Sequence, residues 1–348
     1  MPSDDHTGTG FYDRPVTLRD VADAAGVHIS TVSRALRRAS SGGGSSRTRE
    51  FDQRIAALAE DLGYTRNPNA ASLTTNRSSA LGVVVPHLTD IVLSAAYDAI
   101  ESTANQAGYD AFVANSHDDP EAQKRRINLL IGRRVDGLIL GDAHLDGTNL
   151  EYLERRRVPF VLVNRRSPGY LSVVSDDYGG GYQAGKHLAA LGHTQIGIVG
   201  AAQWASTAYD RAKGCVDALA EAGIDIPEHC IVNTGFDARE GHQGAEQLLA
   251  LEDRPTAIFT VNDFSAIGAM GAVTAAGLRP GHDIGVVGYN DISIASELPV
   301  PLTTVSSPFQ GMGGRAVEIL LAVLHNLPAS PVTLPTKLVV RDSTVPLT

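Results

Sequence analysis

From Leu81 onward, short apolar runs alternate with amphipathic stretches, and this alternation restricts the fold more than any other feature. Leu81–Val85, Ala111–Ala114, Val135–Leu140, Phe160–Val163, Gln195–Val199, Cys230–Asn233, Ala257–Val261 and Ile284–Gly288 read as strands. Apolar residues fill successive positions in them, which marks strands covered on both faces. The stretches between read as helices, for example 120–132, 177–191 and 208–222, the first with Asp119 as cap and Pro120 at the first helical position. Such a pattern requires parallel sheets wrapped by helices. Ligands in these sheets bind beyond the carboxyl ends of the strands. Asn164, Asn262 and Asn290 each follow such an end. A carboxamide both donates and accepts, as a polar ligand requires, but it can equally cap a helix there.

The first eighty residues have a different texture. Within Thr17–Leu36, Thr17 and Asp20 fit a capping-box-like helix start, and Val21, Ala24 and Ala25 give the first helix an apolar face. Gly26 supplies the turn, and a second helix then exposes Ile29, Ser30, Thr31, Ser33 and Arg34 while Val32, Ala35 and Leu36 face inward. An ordinary solvated helix would carry Glu and Lys on that face. Small hydroxyl residues and one arginine suit a helix-turn-helix, whose second helix enters the major groove. A polar, flexible loop follows from Arg37 to Ser46, then a third helix at about 47–62 with Phe51, Ile55, Leu58 and Leu62 at helical spacing. Beyond Gly63, Asn67 as cap and Pro68 as first residue open a helix of about two turns, too short to persist without a partner.

The formal net charge of −10 is unevenly placed. Residues 14–79 hold ten arginines against six acids, a surplus of four positive charges, so the remainder carries −14. A basic head on an acidic body confines phosphate attraction to one end. Cys215 and Cys230, without close spacing, point to neither a disulfide framework nor a zinc site. No apolar run is long enough for a membrane span, and Met1 to Arg14, polar with Asp4, Asp5 and Asp13, lacks the pattern of a secretory signal. A cytoplasmic protein without cofactor is expected.

The order of helix-turn-helix, short capped helix and α/β body resembles the lactose-repressor (LacI/GalR) family of bacterial transcription regulators. The resemblance rests on Thr17–Leu36, on Gly63-Tyr64 through Ser72-Leu73, on Val135-Asp-Gly-Leu-Ile139, on Leu191-Gly-His-Thr194, on Arg211-Ala-Lys-Gly214, on Asn262-Asp263 and on Pro301-Leu-Thr-Thr-Val305. It implies an N-terminal all-α helix-turn-helix domain over residues 15–64, a hinge helix and linker over 65–79, and an α/β body resembling a two-lobed periplasmic binding protein over 80–344. One lobe would comprise about 80–175 and 306–332, the other about 176–305 and 333–344, with crossovers near Ser175, Thr304 and Thr333. By the same resemblance a homodimer, or a higher oligomer, reads a near-palindromic operator in double-stranded DNA. Leu73 would wedge into the minor groove at its centre, which kinks the duplex. Ile29, Ser30 and Arg34 would face base edges, Arg34 as a bidentate guanine contact, while Thr17, Thr31 and Ser33 would bond phosphates. His28 stands where a small hydroxyl residue is usual, and Leu18 suits either DNA or the core. The loop before the third helix runs about two residues longer than is usual in the family, and Ala71 replaces a frequent Arg.

For the body, the resemblance implies a small-molecule effector, a carbohydrate by preference, gripped by Arg211 with Asn164, Asn262 and Asn290. Phe236 and Phe309 would form the walls, and Asp263 would cap the helix after its strand. Asp90-Ile91-Val92-Leu93 replaces the frequent Asn-Pro-Phe-Phe, and Asn290 replaces a frequent aspartate. Trp204, the sole tryptophan, lies in the loop before Arg211. A nucleoside or purine co-repressor is the alternative effector, and a solute-binding protein without DNA function the alternative protein. An enzyme is disfavoured, because no Gly-x-Gly-x-x-Gly follows the first body strand and no paired catalytic constellation appears.

Overall fold

The structure, a computed structural model, describes residues 14, 16–41, 46–64 and 78–347. It divides into two compact units, Met1–Ser78 and Ser79–Thr348.

In the first unit, α1 (Leu18–Ala25), α2 (Ile29–Ser41) and α3 (Ser46–Asp61) close on a small core of Val21, Ala22, Val32, Ala35, Ile55 and Ala59. Gly26 ends α1 in the left-handed conformation at φ 67°, the backbone the sharp turn needs. Two details depart from the sequence reading. Helix α2 continues through Arg37 to Ser41, where a loop was expected, and Arg38 on that added turn makes a bidentate pair with Asp52 of α3 at 2.8 and 2.7 Å. That pair holds the Asp52 carboxyl below its ordinary pKa, even though Asp52 is buried. Leu62 lies beyond α3 and is exposed, so Ala59 takes its expected place in the stripe.

The second unit holds two six-stranded sheets. The chain first lays down β1 (Ala80–Val85), α4 (Ile91–Gln106), β2 (Asp110–Asn115), α5 (Pro120–Gly132), β3 (Gly137–Leu140), α6 (Leu150–Arg155), β4 (Phe160–Val163) and β5 (Ser172–Ser175). It then crosses to the second lobe for α7 (Asp177–Ala190), β6 (Ile196–Gly200), α8 (Ser206–Glu221), β7 (Ile231–Asn233), α9 (Ala238–Leu249), β8 (Ala257–Thr260), α10 (Asp263–Ala275), β9 (Gly285–Asn290) and β10 (Thr303–Ser306). It returns for α11 (Phe309–Leu324) and β11 (Val332–Leu334), and crosses a third time to β12 (Lys337–Val339). The first sheet, ordered β11-β5-β4-β3-β1-β2, is parallel throughout. The second, β12-β10-β9-β8-β6-β7, is parallel except where β12 runs against β10. Every residue of β1, β3, β6, β8 and β9 is buried, as strands covered on both faces must be. The third crossing falls between Leu334 and Lys337, slightly after Thr333.

The second lobe depends on close helix contact. Gly180 and Gly181 in α7 face the ring of Tyr289 and the backbone of α8; a Cβ at Gly181 would stand 2.0 Å from the Arg211 carbonyl. A side chain on Gly180 would drive α7 off the Tyr289 ring, and one on Gly181 would push α8, and Arg211 with it, away from α7. Cys215 and Cys230 are both unbonded and buried, and burial raises both thiol pKa values.

Candidate functional site

Two regions carry the candidate residues. In the first unit, Thr17 caps α1 in a full capping box: its hydroxyl accepts from the Asp20 amide, and its own amide donates to Asp20 at 2.7 Å. These contacts lower the Asp20 pKa, through the Thr17 hydroxyl first, then the Thr17 amide and Arg14. Helix α2 begins without the usual hydroxyl cap. His28 Nδ1 takes that place, accepting the Ser30 amide at 3.3 Å and lying 2.8 Å from the Ser30 hydroxyl. The imidazole can accept there only while Nδ1 carries no proton. Ile29, Ser30, Ser33 and Arg34 are exposed and Thr31 half-buried, so one polar face runs along the first two turns. Arg34 Nε bonds the Ser30 carbonyl, laying the guanidinium along that face. Leu18 is half-buried and packs against the small core, the apolar option of its two. Asn67 and Leu73 lie outside the described residues.

In the second unit, Asn164, Arg211, Phe236, Asn262 and Asn290 line one cleft between the two lobes. Each is placed by a strand end or by the helix that follows one. Arg211, in the second turn of α8, is buried. Its Nε donates to Asp177 at 2.7 Å, a second nitrogen donates to the Val261 carbonyl at 2.9 Å, and the guanidinium lies 3.9 Å from the Tyr289 ring centre. Burial is the largest influence and opposes its charge, but Asp177, Tyr289 and Asp263 together outweigh it and leave the arginine pKa raised. Asn164 and Asn290 sit at positive φ, 64° and 117°. Both are more than nine-tenths buried, and their side-chain oxygens have no hydrogen-bond partner among the described residues. An unpaired buried acceptor costs free energy, so both positions are poised for a donor.

Asn262 serves the fold. Its oxygen caps α10 by accepting from Ser265 at 2.8 Å, and its nitrogen donates to the Phe236 carbonyl at 2.7 Å. Both ends of the carboxamide are engaged, and the second contact fixes the loop carrying Phe236. The cap expected of Asp263 is therefore Asn262's. Asp263 instead accepts from the Thr304 hydroxyl and the Ile292 amide, bracing β10 against the segment after β9, and burial pushes its pKa up to about 7. Phe309 stands apart from the cleft walls. As the first residue of α11 it packs on the apolar clusters of both lobes.

Several wall residues escaped the sequence reading, whereas Asp90, Val92 and Leu93 come from the segment it marks as unusual. Arg165, directly after Asn164, is 4% exposed, pairs with Asp118 through both terminal nitrogens, and lies over the rings of Trp204 and Phe236 at 5.2 and 5.8 Å. Its strand-end position was the available signal. Asp90 caps α4 by accepting from Val92 at 2.9 Å, and its burial raises its pKa. Pro86, His87, Val92, Leu93, Asp118 and Thr207 complete the lining. Trp204 is clasped from the first lobe, with His144 stacked on it at 4.1 Å and the Leu145 amide donating to its carbonyl. Arg166 also spans the lobes, making a bidentate pair with Asp210 while its amide donates to Ser206. Among the described residues no cluster of His, Cys, Asp or Glu could hold a metal ion, and no helix is long and apolar enough to cross a membrane.

Comparison with known proteins places both regions. Residues 17–67 match the model of bacterial regulatory proteins of the lacI family, and residues 186–344 match a periplasmic binding protein-like domain. The HTH-type transcriptional regulator DegA of Bacillus subtilis is 33% identical over 95% of this chain and 98% of its own length. The HTH-type transcriptional repressor PurR of Mannheimia succiniciproducens is 30% identical over 94% and 98%. Among solved structures, the lac repressor dimer bound to operator and the anti-inducer ONPF superposes with a TM-score of 0.85 at 33% identity, over 95% of this chain and 100% of that one. A complex of the transcriptional regulator CelR with cellobiose gives 0.72 at 28% identity, also over 95% and 100%.

Proposed function

This chain belongs to the lacI family of bacterial regulatory proteins and is a DNA-binding transcriptional regulator; on that premise we propose how it reads DNA and how a small molecule controls it. The protein acts as a dimeric repressor in the cytoplasm and performs no catalytic step. Ser30, Ile29 and Arg34 meet base edges of each half-site, with Arg34 on a guanine, while Thr17, Thr31 and Ser33 bond phosphates. His28 locks the start of the reading helix, and Asn67 and Leu73 contribute the hinge helix and its wedge.

The observation that carries the effector reading is the buried cleft in which Asn164 and Asn290 offer unpaired carboxamide oxygens beside the fixed Arg211. An uncharged ligand rich in hydroxyls satisfies both oxygens, and a carbohydrate is the natural class. Asn262 supports that wall by holding Phe236, and Phe309 acts in the hinge region. The three chain crossings form the hinge. Because two half-sites must be met at once, a change in lobe closure alters operator affinity. A purine or nucleoside co-repressor is the second reading, supported by the likeness to PurR and by Phe236, on which a base could stack.

Gel-shift titration of the full chain on genomic fragments tests DNA reading. A sequence-selective complex that weakens steeply with salt and is lost in Arg34→Ala is expected; binding indifferent to sequence sinks the assignment. Thermal shift against sugars, nucleosides and purines tests the effector, since a ligand specific for the folded state raises the melting temperature.

A further inference from the structure

The hydrogen bonds at the start of the reading helix decide what one of its side chains can recognise. His28 is the N-cap of α2: its carbonyl accepts the first helical bonds, from the Thr31 amide at 2.8 Å and the Val32 amide at 3.3 Å. Its ring nitrogen Nδ1 accepts from the Ser30 amide at 3.3 Å. An amide N–H can only donate, so Nδ1 carries no proton in this arrangement. The Ser30 hydroxyl lies 2.8 Å from the same nitrogen, and with no proton on Nδ1 the hydroxyl is the donor.

Ser30 therefore has no proton left to give. Its N–H and O–H both go to His28, and its carbonyl accepts from Arg34 Nε at 3.1 Å. What it offers DNA is the remaining lone-pair capacity of an exposed hydroxyl oxygen. A serine hydroxyl that rotates freely meets donors and acceptors on base edges alike, and so discriminates weakly. Fixed by His28, it meets donors only. In the major groove those donors are the exocyclic amino groups, N6 of adenine and N4 of cytosine. Arg34, its Nε already on the Ser30 carbonyl, keeps both terminal nitrogens for the acceptors of guanine, so the two side chains take opposite parts. A hydroxyl cap at position 28 would carry a proton of its own and would leave the polarity of Ser30 open.

We propose that His28 is a positioning residue that sets specificity: by taking the Ser30 proton it makes Ser30 an acceptor-only reader of a base amino group. This rests on the assignment of Ser30 to a base edge made above.

The test uses the full chain, an operator selected from random duplexes, and base analogues that each lack one group. Comparing the operators selected by the parent chain and by Ser30→Ala locates the base pair that Ser30 reads. At that pair, purine in place of adenine or 2-pyrimidinone in place of cytosine removes the amino group, and 7-deazapurines remove the N7 acceptor. Gel shifts should show affinity falling about 3- to 10-fold without the amino group, the range of one net hydrogen bond, and changing less than about 2-fold without N7. Ser30→Ala should abolish the amino-group effect. In His28→Ala the freed hydroxyl can donate, so that effect should shrink below about 2-fold. His28→Asn, whose carboxamide oxygen again accepts, should restore it. A helix start that had merely frayed would weaken every duplex equally and leave these ratios unchanged, and thermal melting confirms that each variant folds. No loss on removing the amino group, a loss on removing N7 instead, or an amino-group effect that persists in His28→Ala overturns the proposal while Ser30 remains a base contact. If Ser30→Ala selects the same operator as the parent chain, the base contact and the proposal fall together.

Discussion

Arg211 and Arg165 line the same cleft from opposite lobes, and they are held in opposite ways. Arg211 is consumed by contacts around its own lobe: Asp177, the Val261 carbonyl and the Tyr289 ring. Arg165 is anchored in the first lobe by Asp118, but its flat face lies on Trp204 and Phe236 of the second. The first arginine is a fixed wall, whose position does not depend on whether the lobes are open or closed. The second exists in its present surroundings only while the lobes are together. A two-lobed receptor needs both kinds of contact, one to define the site and one to make closure favourable.

Substitutions separate the two roles. Arg211→Met leaves Asp177 buried without its cation, and removing one member of such a pair costs about 3–5 kcal/mol of stability. Denaturant unfolding should show that loss, with much of it recovered in Arg211→Met/Asp177→Leu; an unchanged midpoint would mean that the pair is not the wall it resembles. Arg165→Gln unpairs Asp118 in open and closed forms alike, so it should cost some stability, but less than Arg211→Met because Asp118 is more exposed than Asp177. It should also weaken effector binding about 10-fold, because the contacts with Trp204 and Phe236 exist only in the closed form. If its unfolding midpoint fell as far as that of Arg211→Met, the contrast between the arginines would be void.

A smaller effect is expected for Arg166→Ala, which breaks the pair with Asp210 across the lobes. The arginine side chain is 38% exposed, so solvent screens the pair and its coupling should be no more than about 1 kcal/mol in a double-mutant cycle with Asp210→Ala. The smallest effect concerns His144. Burial and the neighbouring Arg165 lower its pKa below the ordinary histidine value, so the closed form favours the neutral ring. The contribution is therefore present above pH about 6.5 and is lost as pH falls below it. Proton NMR should place the His144 titration below that of an unperturbed histidine, and His144→Gln should flatten the acid side of the effector-affinity profile.

The difference between the lobes also separates what could be read from the sequence. The strands β1 to β4 and β6 to β9 announce themselves as apolar runs. The four others are only three or four residues long, too short for a periodic signal, and hydroxyl residues make up half or more of Ser172–Ser175 and Thr303–Ser306. They cluster where the chain passes between lobes; the family resemblance pointed to those crossings, and hydrophobic pattern did not. On the second-lobe side of the cleft, motif residues such as Arg211 and Asn290 could be picked out directly. On the first-lobe side the resemblance marked the Asp90–Leu93 segment, but Arg165 and Asp118 went unseen, because charged residues on loops look alike until pairing and burial set them apart. Asn262 shows the same limit from the other direction: a capping asparagine and a ligand-binding one share one sequence signature, and only the engagement of both carboxamide ends distinguishes them. In the head, the Arg38–Asp52 pair that extends α2 joins residues fourteen apart, beyond the reach of any local rule.

Trp204 is the sole tryptophan of the chain, and it stands on the seam where the lobes meet, between His144 and Arg165. Histidine and arginine at that range alter the brightness and colour of indole emission, so separating the lobes should change both. The protein thus carries an intrinsic optical gauge of its own closure. Its state could be followed in millisecond mixing experiments without a dye, including while the chain is bound to DNA.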